Sequence, residues 1–244
     1  MANAPPVCNP HLELFSFRHP LSRLRDALET RRRIKIIAIG SSSTAGESNI
    51  IPFPHRLELA LRSFYPGRMI DVVNRGIGGQ EAPEELARFE SDVTIEAPTL
   101  VIWQVGTNAI YHRELYDPPS VARIVETGVS WLKNLQADVI LMDMQYAPAL
   151  FRDKDGKPDY GREKDARNLV SMISAVAGRA EVNVFQRFAL MEHWVTTDRI
   201  SWTDLIGADG LHQTEFATGC VTEALKAAIT VRVGPVPGAL PPMM

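Results

Sequence analysis

The chain has 244 residues, of which 45% are hydrophobic and 23% charged, and its formal net charge at pH 7 is -3. This balance is typical of a globular protein, and the length suits one α/β domain. The charge gives no general attraction to nucleic acid or acidic lipid, and no apolar run approaches the ~18–20 residues that cross a bilayer. The first residues lack a basic segment followed by an apolar core, so we expect no signal peptide and a cytoplasmic location.

Short β-branched runs alternate along the chain with segments of helical period. Residues 1–20 are predicted to form an irregular arm, 21–232 one domain, and 233–244 a proline-rich tail. The predicted strands are 34–39, 69–74, 99–105, 138–144 and 182–185. The predicted helices are 21–30, 54–64, 83–96, 120–135, 165–179 and about 214–231. Five strands alternating with helices predict a three-layer α/β/α sandwich around a five-stranded parallel sheet.

The first strand ends in a turn rich in glycine and hydroxyl residues, Gly40-Ser-Ser-Ser-Thr-Ala-Gly46. A phosphate-binding loop is excluded because Glu47 stands where that motif needs lysine. The G-x-S-x-G elbow is excluded because Thr44 stands two residues after Ser42. The turn resembles the first block, G-D-S-x-T-x-G, of the SGNH (GDSL) hydrolases, with Ser42 on the nucleophile.

Three more blocks of that family follow in order, each after a predicted strand or before the last helix. They are Asn74-Arg-Gly-Ile-Gly-Gly79, Gly106-Thr-Asn108 and Asp209-Gly-Leu-His212. The resemblance implies that His212 is the base that deprotonates Ser42 and that Asp209 orients it. It also implies an oxyanion hole made of the Ser42 and Gly79 backbone N–H groups and the Asn108 amide.

Each block alone has a simpler interpretation: a turn for Gly76–Gly79, a loop or cap for Asn108, and a cap or half of a metal site for Asp209 and His212. Their joint order favours the SGNH interpretation. Ser41 replaces the usual aspartate and Ala109 follows Asn108 where many members have aspartate, which leaves the subfamily open.

The resemblance implies a serine esterase without metal or organic cofactor, acting on a small-molecule or carbohydrate ester. An acyltransferase or O-deacetylase with the same residues stays open, and a catalytically silent binding domain is disfavoured because all four polar residues are present. No long apolar insertion is seen, which favours short acyl groups. We expect no metal site and no membrane span.

The remaining features are predicted to be structural. Residues 145–161 are polar and rich in proline and glycine, and could form a mobile flap beside the site. Residues 186–211 are predicted to be irregular, with Trp194 in the core and His193 near it. The histidines at positions 11, 19, 55 and 112 are interpreted as surface or structural. Cys8 and Cys220 could form a disulfide, but two unrelated thiols are favoured in a cytosolic protein.

Overall fold

The computed structural model describes residues 7–14, 17–47, 49–153 and 155–236. A five-stranded parallel sheet in the order β2-β1-β3-β4-β5 forms its centre, so the predicted fold class is confirmed. The strands are β1 Arg33–Gly40, β2 Met69–Gly76, β3 Leu100–Gln104, β4 Asp138–Met142 and β5 Asn183–Phe185.

The central strands are buried on both faces, as expected for a parallel sheet covered by helices. Ile37 of β1 pairs with Val101 of β3, which pairs with Val139 of β4. All three are buried, and β3 is buried along its whole length. The carboxyl ends of these strands therefore meet at one edge, where open α/β sheets bind their ligands.

Two helical layers cover the sheet. The helices are α1 Ser22–Thr30, α2 Ser42–Ala45, α3 Phe53–Phe64, α4 Ala82–Ala87, α5 Thr107–Tyr111, α6 Pro118–Asn134, α7 Tyr160–Ala180, α8 Arg187–Thr196, α9 Trp202–Leu205 and α10 Glu215–Val233. Helix α10 packs on α1 and α3, whereas α6 packs on α4 and α7. None of the described helices is long and apolar enough to cross a membrane.

The prediction that 186–211 is irregular was wrong, because this segment contains α8 and α9. Helix α8 buries Arg187, Phe188, Leu190, Met191 and Trp194 on one face, so this face includes a charged residue, whereas the apolar Ala189 and Val195 are only partly buried. This mixture weakens the amphipathic period on which the prediction rests. The predicted helix 83–96 likewise divides into α4 and a π-helical turn at Glu90–Thr94.

The preference for two unrelated thiols was also wrong, because Cys8 and Cys220 form a disulfide with their Cα atoms 5.7 Å apart. It joins the N-terminal arm to α10. The indole of Trp194 donates to the Asn9 carbonyl at 2.8 Å and fixes the same arm to α8. Trp194 is fully buried, which confirms its predicted place in the core.

The proposed flap divides into two parts. Its first half is packed into the protein: Gln145, Ala147 and Leu150 are buried, and a 3-10 turn spans Pro148–Leu150. Its second half forms a hairpin-like bridge between Arg152 and Pro158. Mobility of this segment stays a prediction, and most of the predicted tail, 237–244, lies outside the described residues.

Candidate active site

Ser42, His212 and Asp209 form one continuous line of hydrogen-bonding groups at the carboxyl edge of the sheet. The Ser42 hydroxyl lies 3.0 Å from Nε2 of His212. Nδ1 of the same ring lies 2.6 Å from Oδ2 of Asp209. These distances suit a nucleophile, a base and a carboxylate that orients the base. The structure thus brings Ser42 into contact with His212, which lies 170 positions further along the chain.

The loop before α10 aims the imidazole at the serine. Oδ1 of Asp209 accepts from the backbone N–H groups of Leu211 and His212 at 2.9 and 3.0 Å, which closes a tight turn. Burial would raise the pKa of Asp209, but these backbone donors and the His212 ring outweigh it and hold that pKa below its usual value. The carboxylate therefore stays ionised and fixes both the ring and the loop.

The three consecutive serines have different partners, which identifies the nucleophile candidate. Ser41 donates through its hydroxyl to Gln104 at 3.0 Å, and Ser43 donates to Gln145 at 3.3 Å. Only Ser42 among these three contacts His212. Ser42 also begins the short helix α2, whose first backbone N–H groups have no intrahelical acceptors and can serve an anion.

The glycine-rich turn after β2 lies against this serine. An added Cβ at Gly76 would stand 2.1 Å from the Ala45 backbone nitrogen, so only glycine allows β2 to approach α2 this closely. A Cβ at Gly78 would lie 3.9 Å from Cβ of Ser42, which places the turn beside this serine. At Gly79 no atom would meet a Cβ within 4 Å, and its φ of +79° is what favours glycine there.

Asn108 connects the third block to this turn. It lies in the first turn of α5 and is 4% exposed. Its side-chain Nδ2 donates to the Gln80 carbonyl at 2.7 Å. A carboxamide has two N–H donors, so this bond fixes the orientation of the group while using one of them.

Glu81 lies in none of the predicted motifs, but it connects the segment after the second block, Asn74–Gly79, to the third block, Gly106–Asn108. Its buried carboxylate accepts from the backbone N–H groups of Gly106 at 2.8 Å and Ala109 at 2.9 Å, on either side of Asn108. It also accepts from the Ala82 N–H at 3.0 Å and caps α4. Burial raises the pKa of Glu81, and the backbone donors oppose that rise. Only its position between two motifs could have drawn attention to it.

A second buried carboxyl lies beside Glu81. Burial, followed by the charge of Glu81, raises the pKa of Glu85 well above its ordinary value. Its Oε2 accepts from Nε1 of Trp103 at 2.7 Å. A protonated Glu85 removes the repulsion that two adjacent buried carboxylates would otherwise exert.

The site is open to solvent on the histidine side. The side chains of His212 and Asp209 are 29% and 50% exposed. A cleft of about 20 Å³ borders Ser42 and His212 and is also lined by Ile50, Pro52 and Thr218. A larger cavity of about 220 Å³ is lined by Tyr146, Phe151 and Trp202. Pro148 also lines this cavity, and the N–H of the next residue, Ala149, donates at 2.9 Å to the carbonyl of Gly210, which lies between Asp209 and His212 in sequence.

Comparisons with known proteins identify the family of this chain. The Non-GDSL lipase-like family matches residues 7–234. The chain belongs to this family. The family name fits the first block of this chain, in which Ser41 stands where the GDSL motif has aspartate. Among curated proteins, no sequence matches the chain.

Several solved structures share the fold at low sequence identity. A mutant of Axe2, an acetyl-xylooligosaccharide esterase from Geobacillus stearothermophilus, has a TM-score of 0.68 at 20% identity, covering 80% of this chain and 94% of that one. TesA has a TM-score of 0.65 at 20% identity, covering 81% and 99%. LAE5, an alpha/beta hydrolase from the metagenome of Lake Arreo, Spain, has 0.64 at 18% identity, covering 80% and 94%. Family and fold confirm the predicted resemblance to SGNH hydrolases and support a carboxylic ester hydrolase.

Proposed function

We propose that the protein hydrolyses carboxylic esters through an acyl-enzyme on Ser42. The observation that carries this proposal is the unbroken line from the Ser42 hydroxyl through His212 to Asp209, with contacts of 3.0 and 2.6 Å. A serine hydroxyl is a weak nucleophile until a neighbouring base takes its proton, and this arrangement supplies that base.

The reaction would proceed in two halves. Nε2 of His212 takes the Ser42 proton as Oγ attacks the ester carbonyl, and the imidazolium then protonates the departing alcohol. Water attacks the resulting acyl-serine with the same histidine as base, and Ser42 is regenerated. Asp209 stabilises the imidazolium in both halves without accepting its proton.

The oxyanion of each tetrahedral intermediate would be held by the Ser42 and Gly79 N–H groups and by the second N–H of Asn108. Glu81 supports this role because it fixes the backbone on both sides of Asn108. Preorganised donors stabilise the developing charge without reorganising during the reaction.

Solved relatives of this fold lend support to the residue roles. Three Axe2 structures are described as catalytic mutants, in which a serine, an aspartate or a histidine is replaced by alanine. Ser42, Asp209 and His212 are the same three residue types, held in contact here. That relative is described as an acetylxylan esterase.

The two cavities support a proposal for the substrate class. The cleft beside Ser42, at about 20 Å³, has room for little more than one water-sized group, which favours a short acyl chain such as acetyl. The stacked rings of Tyr146 and Trp202, 5.0 Å apart, offer a flat apolar wall for a larger alcohol such as a sugar.

The test is a series of p-nitrophenyl esters from acetyl to decanoyl, with the Ser42→Ala protein beside the wild type. We expect activity to fall with chain length, and Ser42→Ala to lower kcat at least ~10³-fold. Ser43→Ala is the matched control, because this hydroxyl contacts Gln145 instead of His212. A fluorophosphonate probe should label Ser42, as shown by peptide mapping. Labelling of Ser41 or Ser43, or full turnover by Ser42→Ala, would contradict the proposal.

A further inference from the structure

A second histidine–carboxylate cluster lies where the N-terminal arm meets the C-terminal end of α8. Nε2 of His11 lies 2.7 Å from Oδ2 of Asp198, and Nε2 of His193 lies 3.7 Å from Oδ1 of the same carboxylate. The two imidazole rings are 4.3 Å apart between centroids. One donor atom from each of these three residues lies within 4.8 Å of the other two.

The spacing of these donor atoms is close to that of a metal coordination shell. Ligands at about 2.0–2.2 Å from a tetrahedral zinc ion are roughly 3.3–3.6 Å apart. The contacts of 2.7 and 3.7 Å bracket this value, so small side-chain movements would suffice. The exposed fractions of the His193 and Asp198 side chains, 27% and 24%, leave a path for an ion to enter.

The other nitrogen of His11 is already held in the way that metal-binding histidines require. Nδ1 of His11 lies 2.8 Å from Oε1 of Glu13. A carboxylate on the distant ring nitrogen fixes the tautomer and directs the lone pair of Nε2 toward the metal. Here that lone pair would face Asp198 and His193.

The local electrostatics also favour a cation. Two carboxylates, Glu13 and Asp198, face two imidazoles, so the cluster carries two negative charges when both rings are neutral. The backbone N–H groups of Thr197 and Asp198 both bond to the His193 carbonyl at the end of α8, where the helix dipole is negative.

The arm is fixed in place for this role. The Cys8–Cys220 disulfide and the bond from Trp194 to the Asn9 carbonyl hold the residues just before His11. His11 has a φ of +45°, a left-handed conformation that is uncommon for residues other than glycine, and the side chain of Asn9 accepts from its N–H at 3.1 Å.

We propose that His11, His193 and Asp198 bind a divalent transition metal, with zinc as the best match, and thereby tie the N-terminal arm to α8. Two imidazole nitrogens and one carboxylate oxygen are the donor set that zinc prefers over calcium or magnesium. Water completes the tetrahedron. None of these ligands belongs to the Ser42–His212–Asp209 group, so the inference does not rest on the proposed esterase function. The sequence predicted no metal because His11 lies 182 positions from His193 and 187 positions from Asp198.

The experiment is a zinc titration of the full chain after treatment with a chelator, followed by calorimetry and by elemental analysis of the dialysed protein. We expect one equivalent of zinc to bind and to raise the melting temperature, because a ligand that binds the folded state stabilises it. Cobalt(II) in place of zinc should give the visible spectrum of a tetrahedral site.

Variants then locate the ion. His193→Ala and Asp198→Asn should each lower the affinity for zinc at least tenfold, and His11→Ala should do the same. His112→Ala is the matched control, because His112 has a carboxylate neighbour, Glu114, at 3.4 Å but lies outside the cluster. Zinc affinity that is unchanged in the His193 variant would place the ion elsewhere and overturn the proposal. Absence of zinc binding by the wild type would leave an ordinary ion pair between His11 and its carboxylates, and would also overturn it.

Discussion

His212 and His11 each have a carboxylate on Nδ1 but differ in what faces Nε2. His212 has Asp209 at 2.6 Å on one side and the Ser42 hydroxyl at 3.0 Å on the other. His11 has Glu13 at 2.8 Å and a second carboxylate, Asp198, at 2.7 Å. A hydroxyl can donate to a neutral ring, whereas a carboxylate only accepts, so His11 must be protonated or bind a metal. The partner of the second nitrogen therefore decides whether such a pair can act as a base.

The surroundings of the two rings strengthen this contrast. The side chain of His11 is 9% exposed and that of His212 is 29% exposed. Burial alone would lower the pKa of His11, but its hydrogen bonds to Asp198 and Glu13 outweigh burial and raise it. An imidazole held as a cation cannot accept a proton from a nucleophile.

The largest effect is expected when the aspartate beside each histidine is replaced by asparagine, at Asp209 next to His212 and at Asp198 next to His11. Asp209→Asn should lower kcat about 10⁴-fold with the fold intact, because His212 loses its fixed tautomer and the charge that stabilises the imidazolium. Asp198→Asn should leave kcat within about twofold and instead lower the melting temperature. The measurements are steady-state kinetics on a short-chain ester and thermal unfolding for both proteins.

Either of two results would break the comparison. Near-normal turnover by Asp209→Asn would mean that another group orients His212. Glu47, whose Oε1 lies 4.0 Å from Nε2, faces the nitrogen that takes the Ser42 proton, so the replacement would have to come from a different group on the Nδ1 side. A large loss of kcat in Asp198→Asn with an unchanged melting temperature would mean that the cluster of His11, His193 and Asp198 contributes to the chemistry.

The proposed oxyanion donors have no counterpart among the described residues around His11. Asn108→Ala should lower kcat about 10²–10³-fold with little change in KM, because a donor aimed at developing charge acts on the transition state. The loss should be accompanied by a modest fall in melting temperature, since the Gln80 carbonyl loses its 2.7 Å partner. Asn108→Asp should be at least as damaging, because a carboxylate cannot donate and would repel the oxyanion.

Kinetics and melting together separate the alternatives for Asn108. A raised KM with unchanged kcat would assign it to ground-state binding of substrate. A collapsed unfolding transition with lost activity would make it a structural cap. Ser43→Ala, which removes a neighbouring side-chain hydrogen bond without touching the proposed donors, is the control for general disturbance of this edge.

The sequence predicted the parts of the protein that depend on local pattern. The β-branched runs of β1 and β3 predict strands, and the glycine and polar residues that follow each run predict turns. Both signals are visible in a few consecutive residues. The parallel sheet then brings the turns to one edge. In the structure His212 contacts both Ser42 and Asp209, and Asn108 donates to the Gln80 carbonyl, whereas the catalytic roles of these residues stay proposals.

What the sequence could not predict depends on contacts between distant residues. Glu81 belongs to no motif, and its role appears only when α4 is seen beside the Gly106–Asn108 turn. Helix α8 was missed because its buried face includes the charged Arg187 while the apolar Ala189 and Val195 are only partly buried, and the Cys8–Cys220 bond was missed because the pairing spans 212 positions. A cytoplasmic location stays a prediction, and disulfides are more typical of oxidising compartments.

The smallest expected effect concerns how the cluster of His11, His193 and Asp198 makes the melting temperature depend on pH. Protonation and metal binding should change this dependence in opposite directions. The pKa of His11 is raised in the folded protein above its ordinary value of 6.5. A raised folded-state pKa stabilises the fold fully below the unfolded value and loses that contribution as pH rises through the folded value. In the presence of chelator, the melting temperature of the wild type should thus exceed that of His11→Gln most near pH 6, and less toward pH 9.

Zinc should reverse this trend, because metal binding needs deprotonated imidazoles and strengthens as pH rises. The groups that face His11 are Glu13, Asp198 and His193, and differences of about 2–4 °C are expected for a chain of this size. Taking the difference between the wild type and His11→Gln cancels other titrations, including that of Asp143, whose pKa burial raises to about 7. His112→Gln, which removes an exposed pair, should match the wild type throughout.

Without metal, a difference in melting temperature between the wild type and His11→Gln that does not depend on pH would show that His11 packs in the arm without being held as a cation. A zinc effect that does not grow with pH would contradict imidazole ligation.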